Sequence, residues 1–371
     1  MDPIGVGVIG GSTSGWASLA HLPAIAAAPA FELRAISTTR RSSAEAASAK
    51  YGVPGYAGHQ DLIAHPGVDL VVVSVKVTEH RELISAALAA GKMVYSEWPL
   101  GAGSAEAEDL AAQAERAGVR TVIGLQGRYA PEVRYARELI RDGYVGDVLG
   151  TTVVGSGMVW SGEVPTHGQA YWFDKANGAS PLTSPTLHAL DPLHFVLGEF
   201  DAVAANLVVG RKQARVAEDG TIVPVTVADQ VSVIGTLTGG AAASVFYRGG
   251  TSRGENFRWE INGTEGDLVI TSAWGNMQVA GLTLTGGRGG ETSAAPLAVP
   301  ASYTGDVPAE LAGTPAANVA RLYAALAGDL AGNTRTVPDF AHALERHRLI
   351  DAVERASATG ISQDRRTEAA A

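Results

Sequence analysis

The stretch Ile4-Gly5-Val6-Gly7-Val8-Ile9-Gly10-Gly11-Ser12-Thr13-Ser14-Gly15-Trp16 decides how the chain is read. Its first six residues are apolar or glycine and read as a buried strand, and an apolar helix is expected around Ser18–Ala28. A glycine turn between a strand and a helix is the setting a dinucleotide phosphate needs. Gly10 permits the tight turn, Gly15 lets the helix approach the strand, and the helix start offers free N–H groups to a pyrophosphate. The middle glycine of G-x-G-x-x-G is replaced by Ser12, which keeps an N–H and adds a hydroxyl but gives the backbone less room. The turn thus offers Gly10, Gly11, Ser12, Thr13, Ser14 and Trp16 as cofactor contacts. The alternative is an ordinary glycine turn, so the chain on either side has to decide.

Downstream, strand and helix patterns alternate. Strands are expected at Phe31–Ser37, Val68–Val75, Met93–Tyr95 and Val119–Gly124. Helices are expected at Ser42–Tyr51, Glu79–Ala90 and Ser104–Ala117, each followed by a glycine suited to a left-handed helix end. Within Val68–Val75, Leu70–Val73 is continuously apolar in the way of a parallel strand covered on both faces. This order predicts a doubly wound parallel sheet, the Rossmann arrangement, over residues 1–125.

After a helix at Pro131–Asp142 the pattern changes. Strands follow at Leu149–Gly155, Ala202–Val209, Asp229–Leu237, Ala241–Tyr247, Phe257–Asn262 and Asp267–Ser272, a run that suggests one large, mostly antiparallel sheet. Gly286–Thr304 reads as a loop, Pro315–Leu330 and Pro338–Ala356 as helices, and Gln363–Ala371 as a frayed end. The expectation is an α/β chain: the Rossmann domain, then an α+β domain over 126–371 with an open sheet. The last helices are free to pack back on the first domain.

The 371 residues are 46% hydrophobic and 18% charged, a globular mixture, and the net charge is −10. That charge argues against nucleic acid and against an anionic membrane surface, which need clustered Lys and Arg. With no cysteine, disulfides, thiolate catalysis and cysteine-held metals are excluded. No signal peptide or bilayer-length apolar run is seen, so a cytoplasmic setting is expected. His59, His65 and His80 are scattered, and His188 and His194 stand six apart rather than four, so no metal is expected. At the end of the second strand the residues are Ser37-Thr38-Thr39-Arg40-Arg41, with no carboxylate to grip ribose hydroxyls. Thr38, Arg40 and Arg41 suit a 2′-phosphate, which favours NADP(H) over NAD(H); the alternative is a solvated basic loop.

Several segments carry a more specific likeness. The glycine turn, Lys76-Val77-Thr78-Glu79-His80, Glu97-Trp98-Pro99-Leu100, Gly143-Tyr144-Val145-Gly146, Asn262-Gly263-Thr264-Glu265-Gly266-Asp267 and Pro338-Asp339 with Asp351-Ala352 resemble, in order, the Gfo/Idh/MocA oxidoreductase family. Leu125-Gln126-Gly127-Arg128, Gly15-Trp16, Glu97-Trp98, Asn177-Gly178 and His188 to Asp191 are similar to the branch holding the fungal galactose-pathway repressor, which binds dinucleotide and a protein partner. The resemblance implies a nicotinamide cofactor touched by Val75, Lys76, Val77, His80, Glu97, Trp98 and Gln126. It also implies a second-domain sheet with one face used for a homodimer or higher oligomer.

The family's Glu-Lys-Pro signature reads Glu97-Trp98-Pro99 here, and tryptophan transfers no proton at neutral pH. Its Asp-x-Gly-x-His-x-x-Asp signature reads Ser184-Pro185-Thr186-Leu187-His188-Ala189-Leu190-Asp191. One histidine is kept, and imidazole serves as acid or base near neutral pH. His188 is therefore the first catalytic candidate, with Asp191 one helical turn on to orient it and Lys175 as a weaker stand-in for the lost lysine. Trp98, Arg128, Tyr171, Ser184 and His188 are the substrate candidates; Tyr129 is a weaker phenol, and Arg128 has a structural ion pair as its alternative. Two functions follow: an NAD(P)-dependent oxidoreductase acting on a sugar, polyol or related carbonyl, or a non-catalytic dinucleotide sensor that binds a protein. Internal recycling of a tightly held cofactor is a third, weaker option.

Overall fold

The computed structural model describes residues 2–305 and 307–366. It divides into two compact units, Met1–Gln126 with Asp306–His347, and Gly127–Gly305 with Arg348–Ala371. The first unit thus takes in residues 307–347 besides the leading part of the chain.

In the first unit, β1 (Ile4–Ile9), β2 (Phe31–Thr38), β3 (Gly55–Ala57), β4 (Leu70–Val73), β5 (Met93–Glu97) and β6 (Thr121–Gly124) form a six-stranded sheet of order β3-β2-β1-β4-β5-β6. Every pairing is parallel. The four residues of β4 are all buried, which is why that stretch is β-branched and apolar without alternation. Between the strands run α1 (Trp16–Leu19), α2 (His21–Ala26), α3 (Arg41–Tyr51), α4 (Gln60–Ala64), α5 (His80–Ala89) and α6 (Ser104–Ala117). Gly52 and Gly118 end α3 and α6 in the left-handed region, at φ 71° and 65°. The single helix expected at Ser18–Ala28 is instead two short ones. Pro23 has no N–H to return to Leu19, and the chain bends at Ala20, at φ −119° and ψ −61°.

The second unit holds α7 (Pro131–Arg141), β7 (Val148–Gly157), β8 (Glu163–Val164), α8 (Leu187–Leu197), β9 (Phe200–Val208), β10 (Gln213–Val216), β11 (Ile222–Pro224) and β12 (Gln230–Leu237). It continues with β13 (Ala242–Gly249), β14 (Phe257–Gly263), β15 (Gly266–Ser272), β16 (Thr283–Arg288), β17 (Ala295–Pro296), α9 (Ala301–Thr304) and β18 (Gln363–Asp364). The large sheet runs β17-β16-β15-β14-β7-β13-β12-β9-β18. It is antiparallel except where β13 lies parallel to β7, in register from Ala242 opposite Gly150. The fully buried Trp259 anchors it, its indole N–H donating to Thr151 Oγ1 at 2.8 Å.

Three differences from the sequence expectation concern short elements. β8, β10 and β11 make a small separate sheet over Trp160, Phe173, Val216 and Val227, and its strands are too short for a period to show. The expected loop 286–304 contains the end of β16, the β17 strand and α9. The expected fraying at 363 does not occur, because Gln363 and Asp364 pair with Val203 and Ala202 on β9; residues 367–371 lie outside the described residues. No described helix is long and apolar enough to cross a membrane.

The chain returns to the first unit through α10 (Pro315–Gly332) and the start of α11 (Phe340–Thr359). Between these helices the Asp329 carboxylate accepts from Thr334 Oγ1, Thr336 N and Oγ1, and Val337 N at 2.6–2.9 Å. Burial pushes its pKa up, but the bonds from Thr334, Val337 and Thr336 outweigh that and hold it at about 2. A depressed carboxyl pKa contributes stability above its unfolded value, lost as pH falls through the folded one. Asp329→Asn should therefore cost about 2 kcal/mol at pH 7. In urea unfolding at a series of pH values, the gap between the two proteins should close between the ordinary carboxyl value of 3.8 and about 2.

Candidate functional site

The strand order reverses between β1 and β4, and the crevice outside the carboxyl ends of such a sheet is where ligands bind. Gly10 sits there at φ 86°, with its N–H and that of Gly11 donating back to Ser37 O at 3.0 and 3.1 Å. A Cβ on Gly10 would lie 2.2 Å from Ser74 O and 2.9 Å from Val75 Cγ1. The turn is thus clasped between the ends of β2 and β4, and only glycine fits. Thr13, Ser14 and Gly15 are left exposed, Gly15 at φ 98°. Ser12 Oγ donates within the turn to Ser14 O. The buried indole N–H of Trp16 has no hydrogen-bond partner among the described residues. These features fit a pyrophosphate-binding turn.

The other cofactor candidates of the first unit fall into three settings. At the end of β2, the Thr38 hydroxyl is occupied locally, with Arg40 O at 3.0 Å and Ser43 Oγ at 2.7 Å; Arg40 and Arg41 are exposed, Arg41 beside Glu45 at 3.0 Å. After β4, Val75 is half-buried, Lys76 exposed and Val77 buried. His80 is buried, its ring nitrogens 3.3 Å from Leu100 O and Val75 O; burial holds its pKa below the ordinary imidazole value despite those contacts. His80 therefore braces the loops rather than offering a proton. After β5, Glu97 keeps 12% side-chain exposure while Trp98 is buried with its ring 4.8 Å from that of His347. Burial lowers the His347 pKa to about 4, so Trp98 packs on a neutral imidazole. Gln126 is buried, and its Oε1 has no hydrogen-bond partner among the described residues.

In the second unit, a turn of π-helix at Leu182–Thr186 leads into α8, placing Ser184 half-buried and His188 buried at 6% exposure. Arg128 and Asp191, read separately as a substrate group and an orienting group, form one ion pair. Arg128 Nε donates to Asp191 Oδ2 at 2.9 Å and Nη2 to Oδ1 at 2.5 Å, with Asp191 fully buried. Arg128 also stacks over the Phe195 ring at 5.1 Å. Tyr171 is half-buried against Trp172, ring centroids 5.6 Å apart. Lys175, the weaker stand-in for the missing lysine, has its side chain 66% exposed and paired with Glu354 at 3.3 Å. Among the described residues no cluster of His, Asp or Glu is placed to hold a metal.

Residues 4–125 match the oxidoreductase family with NAD-binding Rossmann fold, GFO_IDH_MocA, and residues 131–272 match the C-terminal domain of Gal80p. The chain belongs to the Gfo/Idh/MocA oxidoreductase family. It is 39% identical to the dehydrogenase aclE of Aspergillus oryzae over 47% of this chain and 48% of that one, so the match spans about half of that relative. It is 30% identical to the galactose/lactose regulatory protein GAL80 of Kluyveromyces lactis, over 76% of this chain and 66% of the other. A super-repressor mutant of Gal80p from Saccharomyces cerevisiae superposes with TM-score 0.87 at 25% identity, covering 98% of both chains. Levoglucosan dehydrogenase with NADH and levoglucosan shares the fold, at TM-score 0.82 and 23% identity over 98% and 99% of the two chains.

Two side chains near the Gfo/Idh/MocA signature escaped the sequence reading. His21 Nε2 lies 2.6 Å from Glu97 Oε1, and His21 Nδ1 lies 3.1 Å from the Tyr323 hydroxyl. His21 stands inside an apolar helix and Tyr323 stands 302 positions later, so no local spacing joins them. The Arg128–Asp191 pair gives a sharper test of the site's architecture. Arg128→Ala leaves a fully buried carboxylate without its bidentate partner and should cost about 3–5 kcal/mol. Arg128→Met combined with Asp191→Leu should restore most of that loss in denaturant unfolding.

Proposed function

We propose that this chain is a cytoplasmic oxidoreductase that passes a hydride between a nicotinamide dinucleotide and a small sugar-like molecule, a sugar, polyol or related carbonyl. The observation that carries this is the clasp at the carboxyl edge of the first sheet, where Gly10 is fitted to Ser74 and Val75 with the exposed turn 13–15 beyond it. Nicotinamide supplies a hydride donor or acceptor that no amino-acid side chain can. The chain's own residues bind and handle protons. The turn amides hold phosphate, Glu97 fixes the ribose on the nicotinamide side, and His188 gives or takes the proton of the reacting oxygen. Trp98 cannot take the lysine's part in proton transfer and serves as an apolar wall. Arg40, exposed at the end of β2 in a stretch without a carboxylate, favours NADP(H); the NADH complex of levoglucosan dehydrogenase keeps NAD(H) in view.

Trp98 in the lysine's place, together with the Gal80p-type C-terminal match, favours a second reading: a dinucleotide sensor that binds a protein and performs no turnover. Nicotinamide absorbance with NADP(H) and NAD(H), against a panel of sugars, polyols and ketones, separates the two. An oxidoreductase changes absorbance with at least one substrate, His188→Ala lowers that rate about 100-fold or more, and Arg40→Ala weakens NADP(H) without weakening NAD(H). Cofactor binding with no turnover, and a protein partner captured only with dinucleotide present, would establish the sensor instead.

A second copy of the chain is the partner we propose for the open face of the large sheet. Ile234 and Val154 are exposed there, with Phe246 half-buried between β12 and β7. Ile234→Glu with Val154→Arg should convert a dimer to a monomer in light scattering while leaving cofactor binding unchanged.

A further inference from the structure

Inside the first unit, a carboxylate, an imidazole and a phenol lie in one line. Glu97 Oε1 is 2.6 Å from His21 Nε2, and His21 Nδ1 is 3.1 Å from Tyr323 Oη. His21 and Tyr323 are fully buried, while Glu97 reaches solvent along one edge. The line is boxed by aromatic rings. Tyr95 meets His21 edge-on at 4.9 Å, Phe31 meets Tyr323 at 5.1 Å, and Tyr95 and Tyr323 are 5.4 Å apart. Gly124, opposite Glu97 in the β5–β6 register, leaves room for the carboxylate: a Cβ there would come within 3.0 Å of Oε1.

We propose that His21 and Tyr323 are positioning residues that hold the Glu97 carboxylate in the orientation that binds the nicotinamide-side ribose. Burial, with Glu97 nearby adding to it, keeps the Tyr323 phenol protonated well above its ordinary range. A protonated phenol can donate its O–H to His21 Nδ1, which leaves Nε2–H as the donor to Glu97. One tautomer and one ring orientation follow, and Oε1 is fixed while Oε2 remains to accept from a ligand. The line does not relay protons to solvent, because it ends at a phenol with no exposure. It also gives the returning segment a purpose at the site: α10 brings Tyr323 beside α2 and β5 from the far end of the sequence.

The inference rests on the dinucleotide reading above, and the test separates the two. Binding of NADH and of ADP is titrated by fluorescence on the full chain and on His21→Ala, Tyr323→Phe, His21→Gln and Glu97→Gln. ADP carries the adenine half without the nicotinamide-side ribose. Expected are a roughly tenfold loss of NADH affinity for His21→Ala and Glu97→Gln, a smaller loss for Tyr323→Phe, and unchanged ADP affinity throughout, since one well-made charged hydrogen bond is worth about that factor. His21→Gln keeps an N–H donor near the Nε2 position and should recover most of the loss. Equal losses for NADH and ADP would show a merely structural role and overturn the proposal. So would wild-type NADH affinity in His21→Ala. Failure of the unaltered chain to bind NADH, NADPH or ADP would overturn the dinucleotide reading itself.

Discussion

Because β1 pairs in parallel with β2 on one side and β4 on the other, the chain must leave β1 at its carboxyl end and come back beside it twice through crossovers. That places the ends of β1, β2 and β4 together with no strand to cap them. The glycine turn is the local answer to this crowding: Gly10 lies closer to Ser74 than any side chain would allow. The same geometry carries Val75 and His80, after β4, and Glu97, at the end of β5, to one edge. The cofactor cradle is therefore a consequence of parallel pairing, and its composition is confined to the few residues that follow each strand.

The chemistry offered at that edge is unusual for what it lacks. With tryptophan where the family has lysine, the signature position itself offers no proton transfer, since Trp98 carries no acid or base at neutral pH. His80 is held neutral by burial, and Glu97 is engaged with His21. In the second unit the equivalent loss of an acidic residue leaves Ser184, while Asp191 is drawn into a buried bidentate pair with Arg128. Removing proton-handling groups while keeping the cradle is the same change whether the outcome is an oxidoreductase relying on His188 or a sensor that needs no proton transfer. The fold is common to both, and only the behaviour of the bound dinucleotide tells them apart.

The fold was legible wherever a long element carried one strong period. The apolar run ending in Val73, the glycine stops of α3 and α6, and the alternating strands of the large sheet were all readable, because burial on one face or two dictates those patterns. The small sheet of β8, β10 and β11 was not, since two to four residues show no period. Pro23 was visible, but its cost to the helix depends on the geometry at Ala20. At the site, residues adjacent to glycine or at strand ends were named from sequence. The pairing of Lys175 with Glu354 on α11 was not readable, because charge alone does not reveal a partner so far along the chain.

What escaped altogether were contacts made by distant segments, and these follow from how the units are built. A compact unit closed by residues 307–347 has to form its last contacts between the two ends of the sequence. Tyr323, His21 and Glu97 are such a contact: a polar line inside an aromatic box, buried at Tyr323 and His21 and open to solvent only along one edge of Glu97. Burying three hydrogen-bonding groups is costly unless each is satisfied, so the arrangement is stable only when all three are present in one geometry. That interdependence ties the placement of a carboxylate at the cofactor edge to the docking of α10, and makes the return of the chain part of the site rather than an ornament of the fold.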